Sequence, residues 1–186
     1  MQHPRRPFGR REPQPMSELD GGAVVWGTRC AAPACDDELW GSFEPDKGEW
    51  GAADEETAGL SAWLRKGGFL IVDDFRLREW YNFEQQMRRV LPNGRIDRLD
   101  VTHRIFHSFF DIESLDMFYP HSRSLKAEFL GIHEDNDPSK RLMVVINYNN
   151  DIGDYMEHSG QGWWPVNTSN DAYKLAINYI MYGLTH

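Results

Sequence analysis

Between Asp54 and Leu91 the pattern of apolar and polar positions changes period twice. Thr57, Leu60, Trp63 and Leu64 recur at helical spacing behind the acidic turn Asp54-Glu55-Glu56, and Lys66-Gly67-Gly68 supplies a basic last turn and a glycine stop. Phe69-Leu70-Ile71-Val72 is then an unbroken apolar run. Between two amphipathic helices, such a run predicts an inner, parallel strand covered on both faces. Asp73-Asp74-Phe75 reads as its end. Trp80, Phe83, Met87, Val90 and Leu91 return to helical spacing and predict a helix over 77–91, stopped by the turn Pro92-Asn93-Gly94. Helix, buried strand and helix in this order predict an α/β domain.

Downstream the pattern predicts a short strand over 96–99 and a helical turn or irregular stretch over 103–110. It predicts strands over 128–133 and 142–148, joined as a hairpin at one side of the sheet by Glu134-Asp135-Asn136-Asp137-Pro138. Residues 149–164 read as a polar loop, and 170–184 as a closing helix with Ala172, Leu175 and Tyr179 near one face. Upstream, residues 1–15 combine four prolines with four arginines and have no apolar face, so they are expected to be a disordered tail. Residues 16–52 read as an irregular segment with one short strand at Ala23-Val24-Val25-Trp26, leaving 53–186 as the α/β domain.

With 186 residues, 40% hydrophobic and 13% aromatic, the chain can fill the core of one domain. A net charge of −9 argues against docking on nucleic acid or anionic lipid. No apolar stretch approaches the roughly 18 residues of a membrane span. The start lacks the apolar core of a secretory signal, so a cytoplasmic location is the expectation from the sequence. Cys30 and Cys35 stand without further cysteines or a nearby histidine, short of a zinc set, and no metal or cofactor is assigned. Neither a nucleophile elbow nor a glycine-rich phosphate loop is present.

Three clusters could carry chemistry. Asp73 and Asp74 leave the buried strand at its carboxyl end, where open α/β sheets bind ligands. The same residues also serve as helix caps. Asp74 is expected to be the cap and Asp73 to face a pocket toward Asp154 and His158. His103 and His107 share one face if their segment is α-helical, a spacing that suits a metal, though buried, hydrogen-bonded histidines fit the aromatic surroundings better. The third cluster, Asn147 to His158, holds Asp151, Asp154, Glu157 and His158 on a loop expected after a strand end.

Lys66 to Phe75, His103 to His107, Asn149-Asp151-Gly153-Asp154 and the ending Asn178 to His186 together resemble the bacterial family called domain of unknown function 4159. The resemblance implies a three-layer, flavodoxin-like fold of the class I glutamine amidotransferase-like group, nearest its trehalose-utilisation-like members; relatives of the family are often exported, which makes a periplasmic location the alternative to a cytoplasmic one. It carries no assigned activity. It implies that Asp73-Asp74 occupy the place of the nucleophile turn, which removes glutaminase chemistry by a cysteine there, and that His158 matches a histidine after a late strand. Thr102-His103-Arg104 stands where the family reads Asp-His-Pro. The family's upstream portion is longer than residues 1–37 resemble, so a sheet short of a strand or two is expected. The functional expectation is a binding domain for a small polar ligand, carbohydrate among the classes, at the strand carboxyl ends. Trp163 and Trp164 are at hand to stack on a ring. The alternatives are a hydrolase using a carboxylate and His158, metal-assisted or not, and a module for protein assembly.

Overall fold

Alternate residues of the apolar run at 69–72 go to opposite faces of one sheet, and this decides the layering. In the computed structural model, which describes residues 51–186 and, before them, the backbone of three strands, Phe69 and Ile71 join one apolar cluster and Leu70 and Val72 another. The expected tail at 1–15 and the pair Cys30 and Cys35 lie outside the described residues.

The elements run β1 (Val24–Thr28), β2 (Phe43–Glu44), β3 (Glu49–Trp50), α1 (Asp54–Arg65), β4 (Phe69–Phe75), α2 (Glu79–Val90), β5 (Asp97–Arg98), β6 (Phe118–Tyr119), β7 (Ser122–Lys126), β8 (Glu128–His133), β9 (Leu142–Tyr148), α3 (Ile152–Glu157) and α4 (Val166–Thr185). Helix α1 starts where Glu56 reaches back to accept from the Ala53 N–H at 2.7 Å. It stops at Gly67, whose φ of +109° is the left-handed conformation that glycine adopts without a Cβ penalty. The Gly67 and Gly68 N–H groups donate back to Leu64 and Trp63. Arg141 donates to the carbonyls of Leu64 and Gly68, tying that helix end to β9.

The main sheet has the order β1-β4-β9-β8-β5. On one face lie Leu64 of α1 and Phe83, Met87 and Val90 of α2. On the other lie Leu175, Tyr179 and Tyr182 of α4 with Ile105 and Phe106. The domain is therefore α/β in three layers. Burying a large apolar side chain contributes roughly 1.5–3 kcal/mol, so the two clusters clamp the sheet from both sides.

Several expectations change. Strand β4 is internal and covered on both faces, but it is parallel only to β9; β1 pairs with it antiparallel. It does not end at Val72. The pairing with β9 resumes at Phe75 after a register shift, so Asp73 and Asp74 form a bulge within the strand rather than a terminus. Strands β8 and β9 pair antiparallel, but β9 sits in the middle of the sheet rather than at its side. The loop expected over 149–164 contains α3, and a hairpin of β6 and β7, which the pattern did not signal, precedes β8. Helix α2 starts at Glu79 because Leu77 is held at φ +47°.

Candidate functional site

The site is built where β4 and β9, parallel neighbours, both release the chain at their carboxyl ends. The bulge turns the Asp73 side chain into the interior, where it is 2% exposed. There its carboxylate accepts from Asn147 Nδ2 at 3.1 Å and from the Gly153 N–H at 3.0 Å. Asn147 Oδ1 in turn accepts from the Tyr179 hydroxyl at 2.8 Å. A buried polar chain thus runs from α4 through β9 and β4 to the first turn of α3. Burial, reinforced by the Asp151 carboxylate, raises the Asp73 pKa to about 7 against the pull of the Gly153 and Ile152 N–H groups and Asn147. Tyr179, buried beside it, is pushed well above the ordinary tyrosine range by burial and by Asp73.

The hydrogen bonds of Asp73 thus go to Asn147 and to the first turn of α3. The expectation that it points to Asp154 and His158 does not hold, because the N-terminus of α3 lies between. Asp74 is not the cap of α2 either, since four residues separate it from Glu79. It adopts φ +58°, donates its N–H to the Asn150 carbonyl and hydrogen-bonds Asp151 through its side chain. Asp151 is the N-cap of α3, accepting from the Asp154 N–H at 2.7 Å. Its pKa is raised, chiefly by burial. Asp74, Leu77 and Asn149 all hold left-handed backbone in this one region, a conformation that costs non-glycine residues energy and gathers at functional sites.

The cap orients α3 so that Asp154 and His158, both largely buried, meet one turn apart. Asp154 lies between two imidazoles: His158 Nε2 is 3.2 Å from Oδ1, and His121 Nε2 is 3.3 Å from Oδ2. His121 comes from the turn between β6 and β7, pinned over α3 by the Tyr155 hydroxyl donating to the Phe118 carbonyl at 2.8 Å. Trp163 stacks on His158 with ring centroids 4.3 Å apart and stays 58% exposed. Trp164 packs edge-on against both His121 and Tyr155.

Several buried polar atoms here lack a hydrogen-bond partner among the described residues: both amide atoms of Asn150, Nδ1 of His158, Nε1 of Trp164 and, its ion contact with His121 apart, Oδ2 of Asp154. Such atoms are uncommon in folded proteins, and each calls for a reason. Their concentration around α3 distinguishes this end of the sheet. Sequence reasoning missed His121 and the positioning role of Asn147 and Tyr179, whereas Asn150 lies within the cluster it singled out. His121 gives no local signal, since only the hairpin carries it to Asp154.

The remaining predicted residues go elsewhere. Glu157 is exposed on α3. His103 and His107 do not face one ligand, because their segment is a 3-10 turn over Arg104–His107. At three residues per turn, four positions advance the chain well past one full turn, so the two rings diverge. His103 Nε2 meets His133 Nε2 at 3.2 Å, whereas exposed His107 contacts the Val101 carbonyl and Asp111. The expectation of two buried histidines fails for His107. Burial, then His133 and Arg104, lowers the His103 pKa to about 4. The Val101 carbonyl and Asp111 raise that of His107. Among the described residues, no group of three or more His, Cys, Asp and Glu side chains is disposed to hold a metal ion. No described helix is long and apolar enough to cross a membrane.

A comparison with curated proteins finds no match. The family pattern described as a domain of unknown function (DUF4159) matches residues 43–184, about three quarters of the chain and every residue of the bulge, α3 and the aromatic platform. The protein with this carboxylate-centred site therefore belongs to the domain of unknown function 4159 family.

Proposed function

We propose that the Asp154–His121–His158 cluster binds a small, neutral, polyhydroxylated ligand of the carbohydrate class. The observation that carries this reading is an exposed Trp163 stacked on His158, whose ring edge meets an Asp154 also contacted by His121. Hydroxyl groups both donate and accept, which suits a mixed edge of imidazole and carboxylate such as His121, Asp154 and His158. One face of Trp163 rests on His158, and its exposed side offers an apolar platform. The carboxylates Asp74, Asp151 and Asp154 disfavour anions. Asp73, Asn147 and Tyr179 hold α3 in place without touching the ligand.

The test is calorimetry and tryptophan fluorescence against a panel of mono- and disaccharides. Saturable binding that Trp163→Ala and Asp154→Asn each weaken at least tenfold, about 1.4 kcal/mol, supports the reading. Binding indifferent to both substitutions, or none across the panel, removes it.

A second reading, a hydrolase, is favoured by Asp154 contacting His121. A carboxylate beside an exposed imidazole orients it as a general base. Turnover of a chromogenic glycoside or ester, lost in His121→Gln, is its measurement. The finer assignment to the flavodoxin-like, class I glutamine amidotransferase-like group is also a proposal. It rests on the three layers and the parallel β4–β9 pair, while β1 and β8 run antiparallel to them. An experimental structure with further parallel strands supports it, and a sheet that stops at β1 removes it.

A further inference from the structure

At the opposite end of the sheet a cavity of about 290 Å³ opens between the end of α1, the turn after α2 and the β8–β9 connection. Arg65, Asn93, His133, Asp135, Asn136 and Met143 are among its lining residues. Its chemistry is set by where the proton of His133 sits, and the neighbouring histidine decides that.

His103 Nδ1 accepts from the Ile105 N–H at 3.2 Å, so this nitrogen carries a lone pair. Burial holds both imidazoles below the ordinary histidine range, so each is neutral at pH 7 and has a single N–H. The His103 proton is then on Nε2, 3.2 Å from His133 Nε2, and is donated to it. His133 must accept at Nε2 and carry its own proton on Nδ1. His133 is 2% exposed, and its Nδ1 has no hydrogen-bond partner among the described residues. A buried N–H donor without an acceptor is thus built into a residue that lines a cavity.

The other charged and polar groups at the cavity point to the same kind of occupant. The Asp135 carboxylate is taken by Lys140 Nζ at 2.7 Å. The Asn136 side chain is committed to the Arg95 N–H and the Asn93 carbonyl. Arg65 has no carboxylate partner among the described residues. At His133 the strongest neighbouring charge is the Asp97 carboxylate, opposed by Arg104 and Arg95, with Asp137 the weakest of the four. An exposed guanidinium without a carboxylate partner and a buried N–H without an acceptor, both among the described residues, suit oxygen acceptors bearing negative charge. The volume is roughly ten times a water's share of the liquid, at the lower end of small-molecule pockets. We propose that this cavity binds a small oxyanion, a carboxylate or phosphoryl group on a short skeleton, between His133 Nδ1–H and Arg65.

Side-chain nitrogen NMR on the full chain at pH 7 tests both steps. His133 should show the Nδ1–H tautomer. Inorganic phosphate and succinate, titrated separately at constant ionic strength with chloride as the control, tell the two head groups apart. At least one should shift the His133 Nδ1 signal saturably and raise the thermal midpoint. Arg65→Gln, a change at an exposed position, should weaken that response at least tenfold while leaving the anion-free midpoint unchanged. An Nε2–H tautomer, a response no different from chloride, or full retention in Arg65→Gln overturns the proposal. A water bound at Nδ1 and not displaced by either anion gives the second of these outcomes.

Discussion

The two ends of the central sheet reject charge in opposite directions. At the carboxyl ends of β4 and β9, burial and a neighbouring carboxylate raise Asp73 to about 7. At the other end, burial lowers His103 to about 4. Each group is kept nearer its neutral form, because the interior opposes charge of either sign. The consequences for stability are opposite. The contribution of Asp73 is fully present below its ordinary value of 3.8 and is lost as pH rises through about 7. The contribution of His103 is fully present above 6.5 and is lost as pH falls from there through about 4. One end favours mild acid and the other opposes it, and between these limits the two partly offset.

The largest effect should come from removing the acceptor at the acidic end. Asp73→Ala strands Asn147 Nδ2 and the Gly153 N–H. At about 1–3 kcal/mol per buried unsatisfied group, urea unfolding should show a loss of about 2–6 kcal/mol. Asp74→Ala, at a half-buried position, should lose about 1 kcal/mol or less. Equal losses would show that the bulge, rather than the Asp73 carboxylate, anchors α3. Next in size is the pH response. Asp73→Asn cannot ionise, so its stability relative to the parent should climb as pH rises from about 3.8 to about 7. That of His103→Gln should climb as pH falls from about 6.5 to about 4. Parallel pH profiles for parent and variants would erase the contrast between the ends. Smaller still, Trp163→Ala should change the unfolding free energy by under about 1 kcal/mol, since its ring is largely outside the core. The smallest effect is at Glu157→Gln, expected within about 0.5 kcal/mol in the same measurement.

What was legible in the chain was what local pattern encodes. The apolar run at 69–72, the glycine stop after α1, and the β8–β9 hairpin all appear in the structure because period and turn chemistry act over a few residues. The continuation of β4 through Asp73 was hidden because a bulge keeps pairing across polar residues that read as a terminus. Helix α3 was hidden because it is only one and a half turns long and polar, although Asp151 preceding Asp154 by three positions is a capping signature. Asp73, Asp151, Asp154 and His158 are brought to one region of the molecule, as their positions suggested, but in different roles. Asp73 and Asp151 fix the helix, and Asp154 and His158 meet one turn apart on it. His121 and the His103–His133 pair are products of tertiary contact, which no spacing rule reports.

The contact between Asp73 and Gly153 joins residues 80 positions apart, and that between Asp73 and Asn147 spans 74. Closing so long a loop costs chain entropy before any native bond offsets it. The site therefore cannot assemble ahead of the sheet: β4 must first find β9 across the intervening helix and hairpins. Its formation waits on the β4–β9 pairing. The amide proton of Gly153, held by a carboxylate from a central strand, should exchange with solvent more slowly in the parent than in Asp73→Ala, making it a reporter of that long-range bond.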